Sequence, residues 1–141
     1  MALKKVLVAD DSRIFRILTS EVLREHGLEV LEATNGGQAL DLLLEQRPEL
    51  AVLDALMPLI SGFDVIGKLR EAAPDYQPVI FIVTAVYKSR RWESEARLQY
   101  QVHEYLEKPL EPEDLLKAIG RHFPEFVVPK GQAPGDNPPR T

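Results

Sequence analysis

The chain contains no cysteine, which removes disulfides, thiolate metal sites and cysteine nucleophiles together and fits a reducing compartment. It has no apolar run long enough to cross a bilayer. The run behind Lys4-Lys5 is short and ends in acid, unlike a secretory leader. A soluble, cytoplasmic domain is expected, with no membrane association. Positive charge is also in deficit. The formal net charge of −5 opposes nucleic-acid binding by the domain's own field. Its only basic cluster, Lys88, Arg90 and Arg91, reads first as a solvated face. Internal repeats are missing as well.

What remains is a chain of 141 residues, 45% of them hydrophobic, the size of one domain. Short apolar runs alternate five times with segments of helical period. The runs are Val6–Ala9, Glu29–Ala33, Leu50–Asp54, Val79–Thr84 and Tyr105–Leu106. Their brevity and β-branched content indicate strands. Ser12 is placed to cap a first helix that Gly27 ends. A second runs from about Gly37 to Gln46 and stops before Pro48. A third follows Ser61-Gly62, a fourth spans roughly Ser89 to Tyr100, and a fifth runs from Pro112, a tolerated first-turn proline, to about His122. Alternation of this kind predicts an α/β fold, a doubly wound parallel sheet with helices on both faces, strand order 2-1-3-4-5. Residues 1–124 form the expected domain. Residues 125–141, which hold four of the eleven prolines, read as a flexible tail or linker.

A parallel sheet delivers the carboxyl ends of its strands to one edge, where ligands bind at the switch point between strands one and three. Asp10 and Asp11 end the first strand, Asp54 the third and Thr84 the fourth, and Lys108 follows the fifth. Three converging carboxylates repel one another, and one lysine does not compensate them. A hard divalent cation with few protein ligands does, Mg²⁺ above all and Mn²⁺ as its stand-in. Such an ion suits phosphoryl transfer. Asp54 is the better nucleophile, since the adjacent pair Asp10-Asp11 is better arranged for metal. Thr84 offers a hydroxyl and Lys108 an ammonium to phosphoryl oxygens.

With these residues in place, the chain resembles the receiver domain of two-component response regulators. VLVADDS, VLDALMPLISGFDV, FIVTA and EYLEKPLEPEDLL carry the resemblance in order, over about residues 4–123. The resemblance implies a signalling switch that catalyses only its own phosphorylation and dephosphorylation. Asp54 would accept phosphate from a sensor histidine kinase or a histidine phosphotransfer protein. Asp11 would bind the metal directly and Asp10 mostly through water, with Asp54 and the Leu56 carbonyl completing the protein ligands. It also implies a cis bond before Pro109, and Thr84 and Tyr105 as the switch pair. Their movement would rearrange a face built from the fourth helix, last strand and last helix, for an output partner or a homodimer.

Some positions depart from the family. Gln101-Val102 stands where a small Gly-Ala pair usually precedes the last strand, and the segment before it is about two residues longer than is common. Arg90, Arg91 and Trp92 on the fourth helix are expected to meet an output partner. Apolar Leu56 and Val86 beside the site imply slow loss of phosphate. On the first helix, Phe15, Leu18 and Val22 share an expected core arc, while Ile14 and Ile17 fall on the wet side as a docking candidate for the phosphodonor. The three histidines lack metal-ligand spacing. Competing readings are weaker. A phosphorylation-independent scaffold of the same fold would not need all five site residues. An aspartyl phosphatase would want an Asp-x-Asp spacing, and a nucleotide binder a glycine-rich loop.

Overall fold

The computed structural model describes residues 2–85 and 101–126. The expected fourth helix with Arg90, Arg91 and Trp92, together with Lys88, Val86 and the expected tail beyond Phe126, lies outside the described residues.

Strand β1 (Lys5–Ala9) pairs in parallel with β2 (Glu29–Ala33) and β3 (Leu50–Asp54), and the sheet continues through β4 (Val79–Thr84) to β5 (Glu104–Glu107). The order is β2-β1-β3-β4-β5, as the alternating pattern predicts. Alternate residues of the central strands face opposite layers. Val6, Val8, Val52, Phe81 and Val83 pack beneath helices α1 (Arg13–Glu25) and α4 (Pro112–His122). Leu7, Leu53, Ile80 and Ile82 pack beneath α2 (Gly36–Gln46) and α3 (Gly62–Ala72). Both faces are therefore covered, which is why these strands read as continuous apolar runs rather than alternating ones.

Local chemistry sets the helix ends. Ser12 Oγ accepts the Phe15 N–H at 3.3 Å, Asn35 Oδ1 accepts the Gln38 N–H at 2.8 Å, and Ser61 Oγ accepts the Asp64 N–H at 3.1 Å. Each cap satisfies a backbone donor that the helix leaves open. Pro112 opens α4, the fifth helix expected from sequence. Among the described residues, no helix is long and apolar enough to cross a membrane. The histidines serve structure. His26 Nδ1 lies 2.9 Å from the Val22 carbonyl, His103 Nδ1 accepts the Ile80 N–H, and His122 meets Glu104.

Gln101 has φ +57°, a left-handed backbone that costs a residue bearing Cβ about 1–2 kcal/mol and glycine far less. That is the physical cost of departing from a Gly-Ala pair before β5, and buried Val102 holds the segment in place. Gln101→Gly is expected to raise unfolding stability by roughly 1 kcal/mol, read as a higher urea midpoint at unchanged slope. An unchanged or lower midpoint would show that the strain is absent.

Candidate functional site

The carboxyl ends of β1 and β3 are built alike. Asp10 Oδ1 accepts the Ser12 N–H at 2.8 Å, and Asp54 Oδ1 accepts the Leu56 N–H at 3.1 Å. In both, a carboxylate folds back onto the amide two residues on. This fixes the side chain and turns Oδ2 toward the space between the strands. Asp10 is fixed further by Arg16, whose guanidinium donates to the Asp10 carbonyl at 2.9 Å while pairing with Glu32 on β2 at 3.2 Å.

Lys108 reaches this space from the end of β5. Its Nζ lies 2.8 Å from Asp10 Oδ2 and 3.7 Å from Asp54 Oδ2. The first is a close ion pair without hydrogen-bond alignment, so buried Asp10 Oδ2 has a charge partner but no aligned donor. The Lys108–Pro109 peptide is cis. On the α1 side, the Lys108 ammonium sits 4.4 Å from the centroid of the Phe15 ring. Thr84, fully buried at the end of β4, accepts the Lys108 N–H through its carbonyl at 2.9 Å.

Asp10, Asp11 and Asp54 present oxygens within 4.8 Å of one another, with Asp11 exposed and the other two buried. Among the described residues, three carboxylates against one ammonium leave two negative charges uncompensated. The Asp54 carboxyl registers the deficit. Burial, reinforced by the charge on Asp10, pushes its pKa up to about 6, against the opposing pull of the Leu56 N–H and Lys108. All-oxygen donors, a buried oxygen without an aligned donor and a deficit of two charges fit one hard divalent cation.

The β3–α3 connection returns to the backbone at the end of β3. Gly62 donates its N–H to the Ala55 carbonyl at 3.0 Å and rests against the Asp54 backbone so closely that a Cβ would overlap the Asp54 carbonyl oxygen. Leu56 is exposed on the rim, and Tyr105 is buried in the layer beneath α2 and α3.

A family model for the response regulator receiver domain matches residues 6–120. The chain is a response regulator receiver domain. This receiver is 31% identical over 116 residues to the protein PilH of Pseudomonas aeruginosa, covering 82% of this chain and 93% of that one. It is 27% identical over 121 residues to sporulation initiation phosphotransferase F of Bacillus subtilis, covering 86% and 94%. Its fold matches a CheY-like receiver domain protein from Methanospirillum hungatei at TM-score 0.77 and 28% identity, over 89% of this chain and 97% of that one. A response regulator from Burkholderia pseudomallei, solved with a phosphorylated aspartic acid and a calcium ion, matches at TM-score 0.72 and 29% identity, over 86% and 69%. Receiver domains are signalling switches that work with histidine kinases and output domains and hold a divalent metal in an acidic pocket.

The receiver's sheet thus brings Asp10, Asp11, Asp54, Thr84 and Lys108 to one edge. One helical placement needs correction. Leu18, assigned from sequence to the core arc of α1, is 56% exposed. The fully buried residues of α1 are Thr19, Ser20 and Leu23, one position further round the helix. Phe15 and Val22 pack part-buried against the layer beneath α1 and α4, as expected, and with Leu18 they line a groove of about 220 Å³ against Leu110, Pro112 and Leu115. Ile14 is strongly exposed and Ile17 marginally so, at 74% and 37%. Phe15 and Arg16 escape a reading by sequence because their partners, Lys108 and Glu32, come from distant strands.

Proposed function

We propose that this receiver accepts a phosphoryl group on Asp54 in a Mg²⁺-dependent reaction and relays the change to an output partner. The observation that supports it is the difference between the two buried carboxylates. Asp10 Oδ2 is engaged by Lys108 at 2.8 Å, whereas Asp54 Oδ2, at 3.7 Å, keeps its electron pair available. That oxygen attacks phosphorus in a phosphohistidine or acetyl phosphate. A P–O bond to Asp54 forms as the donor's P–N or P–O bond breaks, and the leaving group departs with the bonding pair. Imidazole then takes up a proton, while acetate leaves as the anion. Asp10, Asp11, Asp54 and the Leu56 carbonyl would hold Mg²⁺ or Mn²⁺, which supplies charge neutralisation to the phosphoryl oxygens. Lys108 and the Thr84 hydroxyl would bind those oxygens. Tyr105, already buried on β5, would follow Thr84 and carry the change to the last strand and helix.

Incubation with acetyl phosphate and Mg²⁺, followed by intact-mass measurement, tests the reading. Wild type is expected to gain one phosphoryl group and Asp54→Asn none. Unmodified wild type, or an adduct surviving in Asp54→Asn, would defeat the proposal. The adduct is expected to persist for minutes or longer after the donor is removed, because exposed Leu56 offers no polar group to an attacking water. With a histidine phosphoprotein as donor, Ile14→Asp is expected to slow a transfer that acetyl phosphate supports normally. Equal rates with both donors would remove Ile14 from the docking face.

A further inference from the structure

We propose that Phe15 is a positioning residue for the phosphoryl-binding lysine, holding the Lys108 ammonium against the acidic cluster through the face of its ring. The inference rests on the phosphoacceptor reading of Asp54 and extends it to a residue on α1.

A closed circuit of contacts supports the role. The Ser12 N–H donates to Asp10 Oδ1 at 2.8 Å, and the Phe15 N–H donates to Ser12 Oγ at 3.3 Å. The Phe15 ring stands 4.4 Å from Lys108 Nζ, which returns to Asp10 at 2.8 Å. The residue that begins the circuit also ends it, so the turn after β1 fixes the wall behind the lysine. Phe15 itself packs against the layer beneath α1 and α4, which keeps the ring from turning away.

Lysine needs such a wall. Its ammonium is a compact charge on a flexible four-carbon stem, and it must serve two carboxylates whose demands change when one of them is phosphorylated. A third carboxylate on this side would neutralise the charge and occupy N–H donors. A ring face attracts the cation through its quadrupole, uses no aligned donor and imposes no single direction. The ammonium can therefore shift between Asp10 and a phosphorylated Asp54 without leaving the ring, and all three N–H donors stay available to oxygen.

The test compares Phe15→Leu, which keeps apolar bulk, with Phe15→Tyr, which keeps the ring, each with Lys108 present and in a Lys108→Met background. Phosphorylation by acetyl phosphate with Mg²⁺ is followed by intact mass, and the Lys108 ε-methylene resonances are followed by NMR. Phe15→Leu is expected to slow phosphorylation about five-fold, within the range of a partly desolvated cation–ring contact. It should also remove the upfield ring-current shift of the Lys108 protons. Phe15→Tyr is expected to retain both properties. In the Lys108→Met background, Phe15→Leu is expected to cause no further slowing, whereas a merely structural defect would persist there. Equal rates for Phe15→Leu and wild type would overturn the role of Phe15 and leave Asp54 as acceptor. So would equal slowing by Tyr and Leu, or slowing that is independent of Lys108. Absence of any adduct on wild type would overturn both readings.

Discussion

Asp54→Asn is expected to stabilise the metal-free protein at neutral pH, although it alters a buried polar side chain. The reason lies in the direction of the Asp54 shift. Burial, with the neighbouring charge of Asp10, raises this carboxyl from 3.8 to about 6, so the folded state holds the proton more tightly than the unfolded state. Stability then falls as pH rises through that window, and the penalty is complete above it. A shift of this size corresponds to on the order of 3 kcal/mol at neutral pH. Asparagine keeps an oxygen for the Leu56 N–H and turns an amide toward Asp10 Oδ2 in place of a second charge. Thermal melts in EDTA should place Asp54→Asn above wild type by roughly 5–10 °C at neutral pH. The gap should narrow as pH falls through about 6 toward 4, where wild-type Asp54 becomes protonated. A lower midpoint for the mutant at neutral pH would show that the acidic cluster carries no such repulsion. Mg²⁺ should favour wild type more than the mutant, because the ion binds the charged cluster of the folded state.

Gly62→Ala is expected to do the reverse, damaging stability and site together. Alanine is the better helix former by about 1 kcal/mol, and on an exposed helix the change would help. Here the added Cβ would overlap the Asp54 carbonyl oxygen and crowd the Ala55 Cα. Those neighbours are backbone atoms of a central strand end, which cannot rotate aside as a side chain does. Overpacking against such a wall costs about 1–3 kcal/mol or more, so the clash outweighs the propensity. A lowered urea midpoint of that size is expected. Displacement of the β3 end should also slow phosphate uptake from acetyl phosphate, roughly 10- to 100-fold. Normal uptake in a folded Gly62→Ala protein would show that the β3–α3 connection yields without moving Asp54.

The strands are legible in the sequence because both faces of the sheet are covered, so β1, β3 and β4 appear as unbroken apolar runs between turn signals. The five site residues are legible for a related reason, since each follows a run and parallel topology carries run ends to one edge. Side-chain partnership across the fold is not legible in that way. Neither Phe15 against Lys108 nor Arg16 between Asp10 and Glu32 leaves any spacing to find. Leu18 shows the limit of helical periodicity. A wheel places Phe15, Leu18 and Val22 on one arc, and Phe15 and Val22 do pack against the core, but the wheel does not reveal that Leu18 stands exposed at the edge of a groove. Gln101 marks another limit, for its departure from Gly-Ala is visible in the sequence but the left-handed backbone it retains is not.

The paired turns at Asp10 and Asp54 have a consequence for ion choice. Each carboxylate has committed Oδ1 to the amide two residues ahead, so the two buried groups present one oxygen each to the cluster. Chelation by both oxygens of either carboxylate would have to share the Oδ1 that holds its turn. Ca²⁺, which fills a large shell and readily takes carboxylates in bidentate fashion, would draw on those shared oxygens. A small ion content with single-oxygen ligands and retained water loses nothing. The same amides that aim Asp10 and Asp54 thereby set how each buried carboxylate meets a divalent cation, with Oδ2 foremost.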